Sequence, residues 1–267
     1  MNISYFTDLN DIKKIRTVGK LSAEVLEFIQ CYVKPGISTG KLNNICNNYI
    51  INKQHALSAS LGYQGFPKSV CISVNDVVCH GIPSNKKKLK FGDILNIDVA
   101  IVKDGFYGDT SKMFYVGTPN ILAKRLCDIT QKSLYLAICI IKPGVRLREL
   151  GKVIQKFVEA EKFSIVREYC GHGIGRSFHE DPQVLHYDTD DNGIVLKSGM
   201  VFTIEPMVNA GKCHVHVMKD GWTVKTKDHS LSAQYEHTVL VTECGCEIIT
   251  LRSDEKYNEI FNHRILL

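Results

Sequence analysis

Asp98 stands in the middle of Ile94–Val102, a run that is otherwise almost wholly apolar. A carboxylate in such a strand is costly unless it is paired or binds a metal. A second acid, Asp109, lies beyond Asp104-Gly105. Asp-Gly between runs of β-branched and aromatic residues signals a hairpin. A two-residue loop pairs Asp98 with Ser111 and Ala100 with Asp109, which puts both acids on one face. Diagonal neighbours of that kind sit roughly 7–8 Å apart, a gap that suits a metal ion or a close metal pair. A three-residue loop would break the parity. Two charges on a solvated face is the plainer alternative, and it fits Asp109 better than Asp98.

The second half of the chain offers further ligating types. His172 sits among three glycines in Gly171-His172-Gly173-Ile174-Gly175, where backbone can approach closely. The loop lacks the Lys-Ser/Thr pair of a phosphate loop. His179 follows in Phe178-His179-Glu180. Glu205 interrupts the apolar run Val201–Ile204, and Glu236 leads into Thr238-Val239-Leu240. Singly, each reads equally well as a loop donor or an edge charge. Together, four carboxylates and one histidine suit a pair of hard or borderline divalent ions.

These residues need elements to position them. Apolar residues at helical spacing predict a helix over 10–33, broken at Lys34-Pro35-Gly36. Ser38-Thr39 cap a second helix running to about Ile51. A short strand over Ser69–Val74 and the segment Val77–Pro83 precede the hairpin. The pattern then recurs: a helix over 121–141, a break at Lys142-Pro143-Gly144, and a helix to about Lys162. The two breaks stand 108 residues apart. Lys90-x-Gly92 precedes Asp98 as Lys197-x-Gly199 precedes Glu205, at an offset of 107. Two matched signals favour an internal duplication over chance, approximately 10–116 and 121–243. The expectation is an α+β fold, one domain in two pseudo-two-fold-related halves, with Asp98 and Glu205 facing each other.

Composition narrows the class. The 267 residues are 44% hydrophobic and 23% charged, ordinary for a globular protein. A net charge of +5 is too small to argue for nucleic acid. The densest basic run, Lys86-Lys87-Lys88-Leu89-Lys90, reads as a solvated loop; a transient ribosome contact is the other reading. The amino terminus has no signal-peptide pattern, and the longest helical apolar run, Leu134–Ile141, is far too short to span a membrane. The ten cysteines, scattered through hydrophobic segments, read as reduced thiols in a cytoplasmic protein. Cys244-Gly245-Cys246 reads as a turn, and Cys213-His214-Val215-His216 as an exposed hairpin.

In this order the motifs resemble type I methionine aminopeptidase in its short bacterial form. They are Cys79-His80-Gly81-Ile82-Pro83, Asn96-Ile97-Asp98, Gly108-Asp109-Thr110-Ser111, Gly171–Gly175, Phe178-His179, Thr203–Met207 and Gln234-Tyr235-Glu236-His237. The resemblance covers nearly the whole chain. It implies the pita-bread fold, with a central antiparallel sheet covered by helices. It also implies two divalent ions (Co, Mn, Fe, Zn or Ni) held by Asp98, Asp109, His172, Glu205 and Glu236, with Asp109 and Glu236 bridging. His80 and His179 would contact substrate, and Glu205 would move the proton of the attacking water. Tyr63, Phe66, Cys71, Phe178 and Trp222 would form the methionine pocket. Ser60 and Phe66 depart from the cysteine and tyrosine common there, which bears on selectivity. A monovalent cation would sit on backbone oxygens of Asn75, Val77 and Ser232. The implied activity is removal of initiator methionine from new chains with a small second residue, by a monomer.

Three rivals stand beside this. A proline-directed relative would carry a large extra domain before the first helix, for which residue 10 leaves no room. A type II enzyme would need an insertion that the 33 residues from His172 to Glu205 and the 31 to Glu236 do not hold. A catalytically dead binding module would have lost ligands, and all five are present.

Overall fold

The computed structural model describes residues 3–191 and 193–256. Four helices are built as the periodicity predicts. α1 spans Leu9–Ile29; Asp8 caps it by accepting the N–H groups of Asn10 and Asp11. It buries Ile15, Val18, Val25, Leu26 and Ile29, then tightens into a 3-10 turn over Gln30–Tyr32, short of the predicted end at 33. α2 spans Thr39–Asn52, and the Ser38 hydroxyl accepts from Lys41 N–H as the sequence predicts. α3 spans Ile121–Cys139, capped by Asn120, and α4 spans Leu147–Ala160.

The hairpin forms in the predicted register. Strand Ile94–Lys103 pairs with Phe106–Tyr115, with Asp98 opposite Ser111 and Ala100 opposite Asp109. Asp104 and Gly105 both take positive φ, 51° and 76°, which is the two-residue turn that keeps this parity. Cys71–Val74 and Leu57–Ser58 flank the hairpin on Ile94–Lys103. The predicted strand from Ser69 begins only at Cys71, because the amides of Ser69 and Val70 donate instead to Asn43 Oδ1. In the second half, Cys246–Ile248, His237–Val241, Val201–Ile204, Gly171–Gly173 and Glu180–Val184 form a five-stranded sheet. Two three-stranded sheets complete the set: Ser232–Gln234 with Met207–Asn209 and Ser164–Ile165, and Val215–Val217 with Val224–Thr226 and Val77–Cys79.

The antiparallel β-layer is therefore divided into four hydrogen-bonded pieces. One division falls at Glu205-Pro206, where proline has no N–H to continue a ladder and the strand passes from one sheet to another. The halves meet where Glu236 N–H donates to Ser111 carbonyl, at 3.0 Å. Two apolar clusters lie outside this seam. One packs α1 and α2 residues such as Leu26 and Leu42 on Leu95, Ile97 and Val99; the other packs Leu134, Ile138, Leu150 and Ile154 on Phe202, Ile204 and Val239. α1 comes unusually close to the hairpin at two glycines. A Cβ on Gly108 would meet Gly19 N and Val18 C at 2.9 Å. Among the described residues, no helix is long and apolar enough to cross a membrane. Cys31 and Cys244 are exposed, and neither is in a disulfide.

Candidate metal centre and peptide pocket

A cavity of about 440 Å³ opens over the seam between the halves. Asp98 and Asp109 reach it from the hairpin, His172 and Glu205 from the second-half sheet, and Glu236 from the crossing point. The glycines flanking His172 allow this sheet to close tightly. A Cβ on Gly171 would meet Thr203 carbonyl oxygen at 2.3 Å, and one on Gly173 would meet that of Asp181 at 2.1 Å.

His172 Nδ1 lies 3.0 Å from its neighbour's carbonyl, at Gly173. With Nδ1–H donating there, the Nε2 lone pair faces the acids, 3.7 Å from Asp109 Oδ2 and 3.8 Å from Glu205 Oε1. Glu205 is held at both oxygens, by Thr203 Oγ1 at 2.9 Å and Gln234 Nε2 at 3.2 Å. Its N–H donates to His186 Nε2 at 3.0 Å. Asp98 lies beside Asp109 and, on the neighbouring strand, Cys71.

Charge crowding is severe. Burial, then the charges of Asp109 and Glu205, push Asp98 well above the carboxylate range. Burial and Asp109 do the same to Glu236. Burial pushes Glu205 up to about 7, with His172 opposing and Asp109 adding. Burial alone would lower His172, but its bonds and charges toward Asp109 and Glu205 leave it raised. This donor set fits a divalent cation. One ligand atom each from Asp109, His172 and Glu236 lies within 4.8 Å of the others, all three residues are buried, and Asp109 Oδ1 has no hydrogen-bond partner.

The rest of the cavity is aromatic. Tyr63 packs edge-on to Phe178 and stacks on His179, with centroids 4.9 Å apart in both cases. Phe66 meets Trp222 edge-on at 5.2 Å, and Cys71 and Ser60 line the same space. His80, at φ 53°, lies between Tyr169 and Trp222. His179 lies over His172, with centroids 4.0 Å apart. Burial, then His172, lowers His179 to about 4, and burial lowers His80.

The profile of metallopeptidase family M24 matches residues 13–243. The chain belongs to that family. Its relatives include the methionine aminopeptidase of Escherichia coli strain K12, 68% identical over 253 residues, 95% of this chain and 96% of that one. Among solved structures, methionine aminopeptidase from Rickettsia prowazekii superposes with a TM-score of 0.91 at 50% identity, covering 94% of this chain and all of that one. The Thermotoga maritima enzyme gives 0.90 at 40% identity, covering 93% and 99%. The fold is the pita-bread fold of these metallopeptidases.

All five predicted ligands, both histidines and all five predicted pocket residues of this M24 chain line the one cavity. Asn75, Val77 and Ser232 do not. Asn75 and Ser232 meet elsewhere, the Asn75 carbonyl accepting Ser232 N–H at 2.9 Å, and Val77 lies on the adjacent strand. Sequence reasoning missed Gln64, Glu168, Tyr169, Cys170 and Met207, which also line the cavity. It missed His186 too, because a histidine in Leu185-His186-Tyr187 carries no local signal of its contact with Glu205.

Proposed function

We propose that this chain is a methionyl aminopeptidase, a metal-dependent hydrolase that removes the initiator methionine of nascent polypeptides when the second residue is small. The observation that carries the reading is the single cavity in which a buried acid–histidine cluster meets an aromatic wall. Asp98, Asp109, His172, Glu205 and Glu236 would hold two divalent ions of the first transition row, Asp109 and Glu236 serving both. Bound divalent ions supply Lewis acidity and lower the pKa of a water toward neutrality.

The chain's own groups do the rest. The acids draw in the substrate's free α-amine, which limits cleavage to the first residue. Tyr63, Phe66, Cys71, Phe178 and Trp222 enclose an unbranched apolar side chain; Phe66 and Ser60 shape the wall. His179, neutral because burial holds it near 4, donates N–H to the oxygen that gains charge at the scissile carbonyl. Glu205, pushed up to about 7, takes the proton of the attacking water and passes it to the leaving amine. His80, beside Tyr169 and Trp222, orients the peptide.

We read residues 1–267 as one catalytic domain made of two repeats, approximately 10–116 and 121–243. The helix pairs α1/α2 and α3/α4, each packed on its own sheet, support this. A cytoplasmic monomer fits the exposed thiols of Cys31 and Cys244, and Lys86–Lys90 offers exposed lysines for transient ribosome contact. Asn75, Val77 and Ser232 would supply carbonyls to one monovalent cation.

The test is hydrolysis by chelator-stripped protein with divalent metals returned one at a time. Metal-dependent release of methionine from Met-Ala-Ser, but not from Met-Leu-Ser or of leucine from Leu-Ala-Ser, is expected. Folded protein that releases nothing with any metal would overturn the reading and favour a peptide-binding module.

A further inference from the structure

Behind the acids lies a second polar cluster that the proposed chemistry does not use. Arg252, Glu255 and His237 have side chains 1%, 4% and 0% exposed. Charged groups are almost never this buried without a defined set of partners. Arg252 Nη2 donates to Glu255 Oε1 at 2.7 Å and lies 3.3 Å from His237 Nε2. Glu255 Oε2 accepts Arg252 N–H at 3.0 Å, so the residue clasps its neighbour at both ends. Tyr135 hydroxyl, from α3, also donates to Glu255. His237 Nδ1 lies 2.9 Å from Thr250 Oγ1.

The cluster reaches the acids through threonine hydroxyls. Arg252 Nη1 donates at 3.1 Å to Thr110 Oγ1, and that hydroxyl donates at 2.7 Å to the carbonyl of Glu236. Thr110 follows Asp109 on the first-half hairpin; Glu236 precedes His237 on the second-half strand. A matching clasp runs the other way, where Thr238 Oγ1 donates to Asp109 carbonyl at 2.7 Å and Thr238 N–H donates to Thr250 Oγ1 at 3.0 Å. The backbones of Asp109 and Glu236 are thus tied across the seam by hydroxyls that the buried arginine cluster holds in place. Only one pair of backbone atoms, Glu236 N–H to Ser111 carbonyl, bridges the same point directly among the described residues.

We propose that Arg252, with Glu255, His237 and the Thr110 hydroxyl, is a positioning device that sets the spacing of Asp109 against Glu236, and thereby the affinity of the site for divalent ions. The inference rests on reading those acids as metal ligands. Partners one shell removed from a metal change affinity or activity by about 10–100-fold when lost.

The test uses Thr110→Val, which removes the linking hydroxyl at nearly constant volume, and Thr110→Ser, which keeps it. Co²⁺ binding is followed by calorimetry and by visible absorption of the Co²⁺-loaded protein, with kcat and KM measured separately. Thr110→Val should weaken Co²⁺ binding about 10–100-fold, shift the absorption bands and lower kcat, with KM moving less than about threefold. Thr110→Ser should restore Co²⁺ affinity to within about threefold of wild type. If Thr110→Val does not fold, Arg252→Lys, which keeps the charge but not the fork, should show the same direction. Wild-type affinity and spectrum in the folded Val or Lys variant would overturn the proposal, as would equal weakening by Ser and Val. Wild-type protein that takes up no Co²⁺ would overturn the metal-site reading itself, and this proposal with it.

Discussion

Gly108→Ala tests whether the close approach of α1 to the hairpin positions Asp109. The new methyl would lie 2.9 Å from Gly19 N and Val18 C, both backbone atoms of α1. Ordinary contact starts near 3.4 Å, so helix and strand must part by about 0.5 Å. α1 is held by buried Val18, Val25 and Leu26, and by Ser22 Oγ donating to Gly108 carbonyl at 2.9 Å, so it yields reluctantly. Overpacking of this kind costs about 1–3 kcal/mol, partly offset by the roughly 0.5–1 kcal/mol that alanine gains over glycine in a strand. The net expectation is about 1–2 kcal/mol by urea unfolding, or roughly 2–8 °C in Tm. Because Asp109 is the next residue, a shift of about 0.5 Å is at the limit a ligand site tolerates, and Co²⁺ affinity should fall about tenfold. Gly105→Ala is the control. Gly105 has φ 76° with nothing within 4 Å of its missing Cβ, so alanine there strains the turn. It should lower stability by about 1 kcal/mol while leaving Co²⁺ affinity unchanged. Unchanged stability in Gly108→Ala would refute the steric argument. Lost stability with unchanged Co²⁺ affinity would refute the transmission to Asp109.

Other outcomes follow from the same geometry. His179→Ala should lower kcat about 10²–10³-fold on Met-Ala-Ser, as loss of a donor to developing charge does, while circular dichroism stays unchanged. Trp222→Ala removes the ring packed edge-on against Phe66 and should raise KM for Met-Ala-Ser more than it lowers kcat, measured by steady-state kinetics. Glu255 sits buried, yet His237 and Arg252 overcome that burial and hold its carboxyl below the usual range. A depressed carboxyl contributes stability above its unfolded pKa and loses it as pH falls through the folded one. Glu255→Gln should therefore be less stable than wild type at pH 7 by about 1–3 kcal/mol, with the gap closing below about pH 4 in urea titrations. Burial raises the Cys71 and Cys79 thiols far above the ordinary value, whereas Cys31 and Cys244 are exposed. Iodoacetamide at pH 8 should label Cys31 and Cys244 first, as read by peptide mass spectrometry.

The hairpin shows how far local sequence reaches. Asp104-Gly105 specifies its turn through two positive φ angles, and a side-chain period of two then puts Asp98 and Asp109 on one face without further information. The helices and their caps at Ser38 and Asn120 are local in the same sense, because the capping oxygen and the amides it accepts lie within three residues. The two Lys-Pro-Gly breaks fall where α1 gives way to α2 and α3 to α4. The resemblance to M24 enzymes named Asp98, Asp109, His172, Glu205 and Glu236 and the rings of Tyr63, Phe66, Phe178 and Trp222, all of which line the cavity, but not Glu168 or Tyr169.

Tertiary structure alone decided the rest, because those contacts join residues far apart in the chain. Nothing near Leu185-His186-Tyr187 reports that His186 accepts the N–H of Glu205, 19 residues on. Arg252 pairs locally with Glu255, three residues on, but nothing in that pair reports that it reaches Thr110, 142 residues away. The start of the strand at Cys71 rather than Ser69 depended on an asparagine 26 residues earlier. The division of the sheet at Glu205-Pro206 was written in the proline, but which strands took up the two ends depended on how the halves meet. Sequence periodicity fixes which face a side chain occupies; only the packed chain brings opposing faces within bonding distance.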